Sequence, residues 1–232
     1  MRSWNAATLG EHPKAGIVSE ATDPVMDATL HYLGYHGQPL TPELADRTSN
    51  MIAHCEEIAR PKEITRTVEP GTLKLPGADI ARHLSGAVDV VLMAVTLGHD
   101  VDRELRRLSL TDPLGQVLFD AAATALVERH ADKLEARIRA QARARDLYCS
   151  WRFSPGYGDL PLDVQQNILG RLDAARRLGI TLTADNLMVP TKSVTAIVGL
   201  HRTPQTGLAS SCDICSLRPY CSLRTQGITC RG

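Results

Sequence analysis

The sequence predicts an α+β fold, with helices packed around a twisted, mostly antiparallel sheet and a small cysteine-rich tail. Three observations predict it. Helix starts cluster early, where Asp23-Pro24 and Thr41-Pro42, followed later by Asp112-Pro113, each join an N-capping side chain to a first-turn proline. Strand-like runs are scattered and joined irregularly, unlike a regular βαβ series. Four of the six cysteines fall in the last 21 residues, a stretch with few large aliphatic side chains that cannot form a core unaided.

The elements follow in order. Residues 1–22 read as an extended arm. Asp23-Pro24 opens a helix carrying Met26, Leu30 and Leu33 that stops near Gly34, and Thr41-Pro42 opens a second, to about Arg60, with Ile52, Cys55 and Ile58 inward. Ile64, Arg66 and Val68 alternate with Glu63, Thr65 and Thr67 as a strand, and Thr72–Leu75 is expected to pair back on it through Pro70-Gly71. Val88–Leu97 is an almost unbroken apolar run, which suits a central strand buried on both faces. A short helix over Val101–Leu108 leads to Asp112-Pro113. From there to about Asp146, Val127, His130, Leu134 and Ile138 recur at helical spacing, a helix of roughly 50 Å. In the strand Leu147–Phe153, Leu147, Cys149, Trp151 and Phe153 share one face, while Tyr148, Ser150 and Arg152 share the other. A helix over 163–178 and strands near Ile180–Leu187 and Val194–Leu200 complete a main domain, 1–205, ahead of a tail, 206–232. Cys55 and Cys149 fall on apolar faces and read as packed core thiols.

The totals exclude some partners. Lys plus Arg equals Asp plus Glu, 26 each, so no net field draws in nucleic acid or a membrane surface. The basic run Arg137, Arg139, Arg143, Arg145 lies beside Glu135 and Asp146 and reads as a solvated helix face. No apolar stretch reaches the ~18 residues of a membrane span, and the N-terminus lacks a signal-peptide core. The expected location is the cytoplasm, where clustered cysteines signal metal or redox chemistry.

Arg152-Phe-Ser-Pro-Gly-Tyr-Gly-Asp-Leu-Pro161 is the segment that speaks most directly to function. Arginine offers a planar fork of donors for a carboxylate, the glycines let a ligand approach the main chain, and Tyr157 offers a flat face and a hydroxyl. The same stretch nearly matches the dinucleotide fingerprint G-x-G-x-x-G, but Pro161 stands where the third glycine is needed for helix–strand packing. A second decoy, Asp27-Ala-Thr-Leu-His31-Tyr-Leu-Gly34, is similar to the D-x-H-x-x-G motif that supplies cobalt's lower ligand, yet Thr29 stands where the aspartate belongs. His31 reads as a helical histidine.

The R-x-x-x-G-Y pattern of Arg152–Tyr157 resembles the S-adenosylmethionine-binding motif of the reactivation domain of cobalamin-dependent methionine synthase. Leu187–Leu200 looks like that family's second signature, and the long helix ending in Lys133-Leu-Glu-Ala-Arg-Ile138 resembles the helix before the motif. The upstream part looks more like short, free-standing relatives. The resemblance implies that Arg152 holds the methionyl carboxylate, that Ser154 and Gly156 bring backbone to the ligand, and that Tyr157 and Glu128 lie against it, Glu128 near the ammonium. The family's aspartate-bearing N-terminal segment has no match here, which leaves one ligand contact unassigned. The implied function is activation of cobalamin-dependent methionine synthase or a related corrinoid methyltransferase, by reductive methylation of Co(II) corrinoid to methyl-Co(III). The cobalamin sits on the partner and a flavodoxin or ferredoxin donates the electron. No catalytic acid or base is expected, since the protein positions reactants and the cofactor carries the chemistry.

Cys212, Cys215, Cys221 and Cys230 form the tail's signature. Four thiolates suit a tetrahedral zinc or an iron–sulfur cluster. The low-potential electron the family needs favours a [4Fe–4S] cluster, with zinc as the alternative. A second function is compatible with the same residues: a non-catalytic iron–sulfur electron-transfer or docking protein with a vestigial pocket.

Overall fold

The computed structural model describes residues 23–35 and 37–205, so the N-terminal arm and the four tail cysteines lie outside the described residues. All three proline-marked helix starts are realised. Asp23 accepts from Val25 N at 3.0 Å to open α1 (Pro24–Tyr32), and Thr41 accepts from Leu44 N at 3.3 Å to open α2 (Pro42–Ile58). Strand β1 (Lys62–Val68), helix α3 (Ala78–His83), strand β2 (Asp89–Thr96) and helix α4 (His99–Thr111) follow. Asp112 then accepts from Gly115 N at 3.0 Å to open the 31-residue α5 (Pro113–Arg143). After it come β3 (Tyr148–Cys149), α6 (Val164–Leu172), α7 (Ala174–Leu178), β4 (Thr181–Leu182), β5 (Met188–Val189) and β6 (Ser193–His201).

The main sheet runs β1-β2-β6-β3, every pair antiparallel, and β4 with β5 forms a separate hairpin. It is covered on both faces. Val91, Met93 and Val95 of β2 pack into a core with α1, α2, α4 and α5, while Val90, Leu92 and Ala94 pack into a second core with α3, α6 and α7. The apolar run of β2 is therefore a central strand buried on both sides, as its composition predicts. Cys55 is buried in the first core and Cys149 packs against it. No helix among the described residues is long and apolar enough to cross a membrane.

Four expectations are corrected. Thr72–Leu75 forms no strand; β1 pairs instead with β2 over its full length, from Lys62 opposite Thr96 to Val68 opposite Val90. A seven-residue ladder with a buried neighbour outweighs a four-residue hairpin that runs straight into Pro76-Gly77. The helix over 163–178 breaks at Asp173, which adopts a left-handed conformation (φ 53°) that aspartate tolerates, its carboxylate paired with Arg176. The strand near Ile180–Leu187 shrinks to Thr181–Leu182. Most consequential, the segment 147–153 is not one regular strand. Tyr148 and Cys149 oppose His201 and Leu200, and Ser150 N bonds Gly199 O, but Phe153 bridges to Ile197. Three steps on one strand match two on the other. That is a β-bulge, and it exchanges the faces of everything after Ser150. Leu147 and Cys149 join the first core, whereas Trp151 and Phe153 join the second, which turns Arg152 towards α5.

Three members of the basic run around the end of α5 are paired. Arg137 pairs with Glu63, Arg139 with Glu135 and Arg145 with Asp89.

Candidate functional site

Helix α1 lies along α5, and together with the segment after the bulge they enclose a cleft of about 730 Å³. This falls within the ~300–1,000 Å³ of ordinary small-molecule sites. Helical spacing on α5 brings Ala125, Glu128, Asp132 and Glu135 to one side of it, since residues three and four apart stack on one face. From α1 come Asp27 and His31, also four apart, with Tyr32 beside them. The third wall carries Arg152, Ser154 and Tyr157.

Arg152 is the electrostatic centre. Its Nε lies 2.9 Å from Glu135 Oε2, and its Nη2 lies 2.6 Å from Asp132 Oδ1 and 3.4 Å from Glu128 Oε2. The arginine side chain is only 17% exposed, against 67% for Asp132 and 38% for Glu128, so its charge is half-sheltered while two of its partners reach solvent. With Asp27, the cleft presents four carboxylates to Arg152, Arg129 and Lys133. Such a lining suits a ligand that is cationic overall yet carries one anionic group for an arginine fork.

Tyr32 registers this field. Burial raises its phenol pKa above the ordinary value, and Glu128, Tyr157 and Asp132 push the same way against the opposing pull of Arg152. The hydroxyl stays protonated and able to donate.

The loop after Arg152 is braced by its own backbone. Tyr157 N bonds Ser154 O at 3.1 Å, Gly156 N bonds Leu160 O at 2.8 Å, and Leu160, almost fully buried, anchors the turn. The Tyr157 ring stands edge-on to Phe153, their centroids 6.4 Å apart. Asp159 then reaches across to α3, where its carboxylate accepts from Ala78 N at 2.6 Å and Asp79 N at 3.1 Å. Gly158, at φ 52°, passes so close to Asp79 that any Cβ would collide with that carboxylate.

The model of the vitamin B12-dependent methionine synthase activation domain matches residues 74–206, more than half of the chain and all of the bulge, loop and β6. The chain belongs to this family. Its fold resembles the crystal structure of the MetH reactivation domain bound to AdoHcy, with a TM-score of 0.59 and 17% identity over 88% of this chain and 83% of that one. A search of curated proteins returned no match.

In this activation domain, four of the residues singled out from the sequence meet in one place: Glu128, Arg152, Ser154 and Tyr157 all line the cleft. Gly156 does not. At φ 89° it serves the turn beside them, its hydrogen facing Leu162. His31 is helical, as expected, and Thr29 beside it is buried with its hydroxyl bonded to Val25 O at 2.7 Å. Among the described residues no group of histidine, cysteine, aspartate or glutamate could hold a metal ion. Cys212, Cys215, Cys221 and Cys230 lie outside them. Sequence reasoning missed Asp27, Tyr32, Asp132 and Glu135. The signal was present: Glu128, Asp132 and Glu135 continue one stripe of α5, and Asp27 and His31 share one face of α1.

Proposed function

We propose that this activation domain binds S-adenosylmethionine in the α1–α5 cleft and so supports reductive methylation of a corrinoid carried by cobalamin-dependent methionine synthase or a related methyltransferase. One observation carries the proposal. Arg152, the first residue of the R-x-x-x-G-Y motif, is aimed by a bulge into a cleft of suitable size and surrounded by carboxylates. S-adenosylmethionine has one carboxylate and two positive centres, the complement of that lining.

The ligand's carboxylate takes the place of Asp132 on the Arg152 fork, because Asp132 is the most exposed of the three partners and the easiest to displace. Glu128 faces the ammonium. Asp27 supplies the acidic contact that no N-terminal motif accounted for. Tyr32 and Tyr157 offer π-faces and hydroxyls to the sulfonium and the adenosyl group. Anchoring both charged ends orients the methyl group, which is the larger part of what such a protein contributes. The partner's corrinoid supplies the nucleophile, with a flavodoxin- or ferredoxin-class electron donor, in the cytoplasm.

We keep residues 1–205 as the binding domain and 206–232 as a thiolate site for a [4Fe–4S] cluster or zinc. Iron, sulfide and zinc analysis of anaerobically purified protein distinguishes these.

Calorimetry with S-adenosylmethionine and S-adenosylhomocysteine tests the binding. Arg152→Ala is expected to weaken both by roughly 30-fold, the scale of a lost charge-assisted pair. Arg152→Lys keeps the charge but loses the fork, and should recover only part. Wild-type protein that binds neither compound would leave the electron-transfer or docking reading in possession.

A further inference from the structure

The geometry points to Glu135 and Arg139 as positioning residues that aim Arg152, an inference that rests on the cleft's being the S-adenosylmethionine site. Neither is needed to touch the ligand. Arg139 Nε donates to Glu135 Oε1 at 3.0 Å, and Glu135 turns its other oxygen, Oε2, to Arg152 Nε at 2.9 Å. The same Arg139 guanidinium holds the strand that carries Arg152. Its Nη1 donates to Cys149 O at 3.2 Å and its Nη2 to Ser150 O at 3.0 Å, the two carbonyls at the entry to the bulge. From the opposite face Ser150 Oγ accepts from Gly199 N at 2.9 Å and lies 2.9 Å from His83 Nε2.

The bulge is thus gripped from both sides, and Arg139 couples its backbone to the carboxylate that sets the plane of Arg152. A guanidinium is a flat fork whose useful edge depends on its rotation. With Nε committed to Glu135, the Nη2 edge points along α5 to Asp132 and Glu128, where a ligand carboxylate competes. Glu135 and Arg152 are equally sheltered, at 17% exposure, so this pair keeps its geometry better than the outer two.

Positioning and plain charge predict opposite results. S-adenosylmethionine carries net charge +1, and its decarboxylated analogue +2. If Glu135 merely adds negative charge, Glu135→Gln weakens the dication more. If Glu135 aims Arg152, the variant weakens the compound that has the carboxylate.

The test is calorimetry of full-length protein with both compounds. Wild type is expected to prefer S-adenosylmethionine. Glu135→Gln and, independently, Arg139→Lys should each cut that preference about tenfold, the scale of one misdirected charge-assisted hydrogen bond. In an Arg152→Ala background Glu135→Gln should change it no further. Unfolding temperatures close to wild type confirm that each variant is folded, and either variant alone suffices for the comparison. An unchanged preference in the folded variants, or greater weakening of the dication, overturns the positioning role while leaving the binding site intact. Wild type that binds neither compound overturns both.

Discussion

Asp159→Ala isolates what the glycine–tyrosine loop owes to α3. That helix begins at Gly77, which has no side chain to cap it, so its first amides look elsewhere. Asp159 supplies both acceptors, at 2.6 Å and 3.1 Å, from a segment 81 residues further along the chain. Replacing an N-cap side chain with alanine costs ~0.5–2 kcal/mol, and an ionised acceptor puts this case near the top of that range, about 2 kcal/mol. At ~2–4 °C per kcal/mol for a domain of this size, thermal unfolding followed by far-UV circular dichroism should shift down by about 4–8 °C. Asp159→Asn, which keeps one acceptor, should recover roughly half. Because the same loop carries Tyr157 and is continuous with Arg152, S-adenosylmethionine should also bind more weakly in Asp159→Ala than in Asp159→Asn. A midpoint within about 1 °C of wild type would show that α3 does not depend on this cap.

Gly158→Ala should also destabilise, by roughly 1 kcal/mol or more, since it puts a side chain on a left-handed backbone and obliges the Asp79 carboxylate to turn aside; Gly158→Ala/Asp79→Ala should recover only the steric part, read from urea midpoints. Arg107, opposed by burial and helped by His54, holds the Glu104 carboxyl down at about 2 from its ordinary 4.5. Because the folded-state value is the lower one, this stabilisation is complete above pH ~4.5 and is lost as pH falls towards ~2. Urea midpoints measured across that window should fall less steeply in Glu104→Gln than in wild type, and equal slopes would refute the assignment.

Much of the scaffold was legible because it depends on one residue at a time. An aspartate or threonine before proline caps a helix wherever it stands, and a run such as Val90–Val95 must be buried on both faces whichever strands flank it. Partner choice is different. β1 passes over the adjacent segment Thr72–Leu75 to pair with β2, a decision set by the length of ladder each offers. The bulge was hidden for a related reason. Leu147, Cys149, Trp151 and Phe153 alternate without a break, but both faces of this sheet are apolar cores, so alternation cannot say which core a residue enters. Arg152, Tyr157 and Glu128 could be singled out on the page. Asp132 and Glu135 continue the Glu128 stripe and were visible as a pattern, but a carboxylate on a long helix becomes informative only when an arginine from elsewhere is turned towards it.

The bulge between Ser150 and Phe153 makes this pocket an instrument that counts. A substitution there alters what holds the bulge, the Ser150 hydroxyl or the Trp151 and Phe153 rings, but leaves the count of residues across it unchanged. Remove a single residue, of any kind, and the pleat resumes its ordinary rhythm, sending position 152 through the sheet to the opposite core. In this stretch the number of residues is as much a part of the site as their identity.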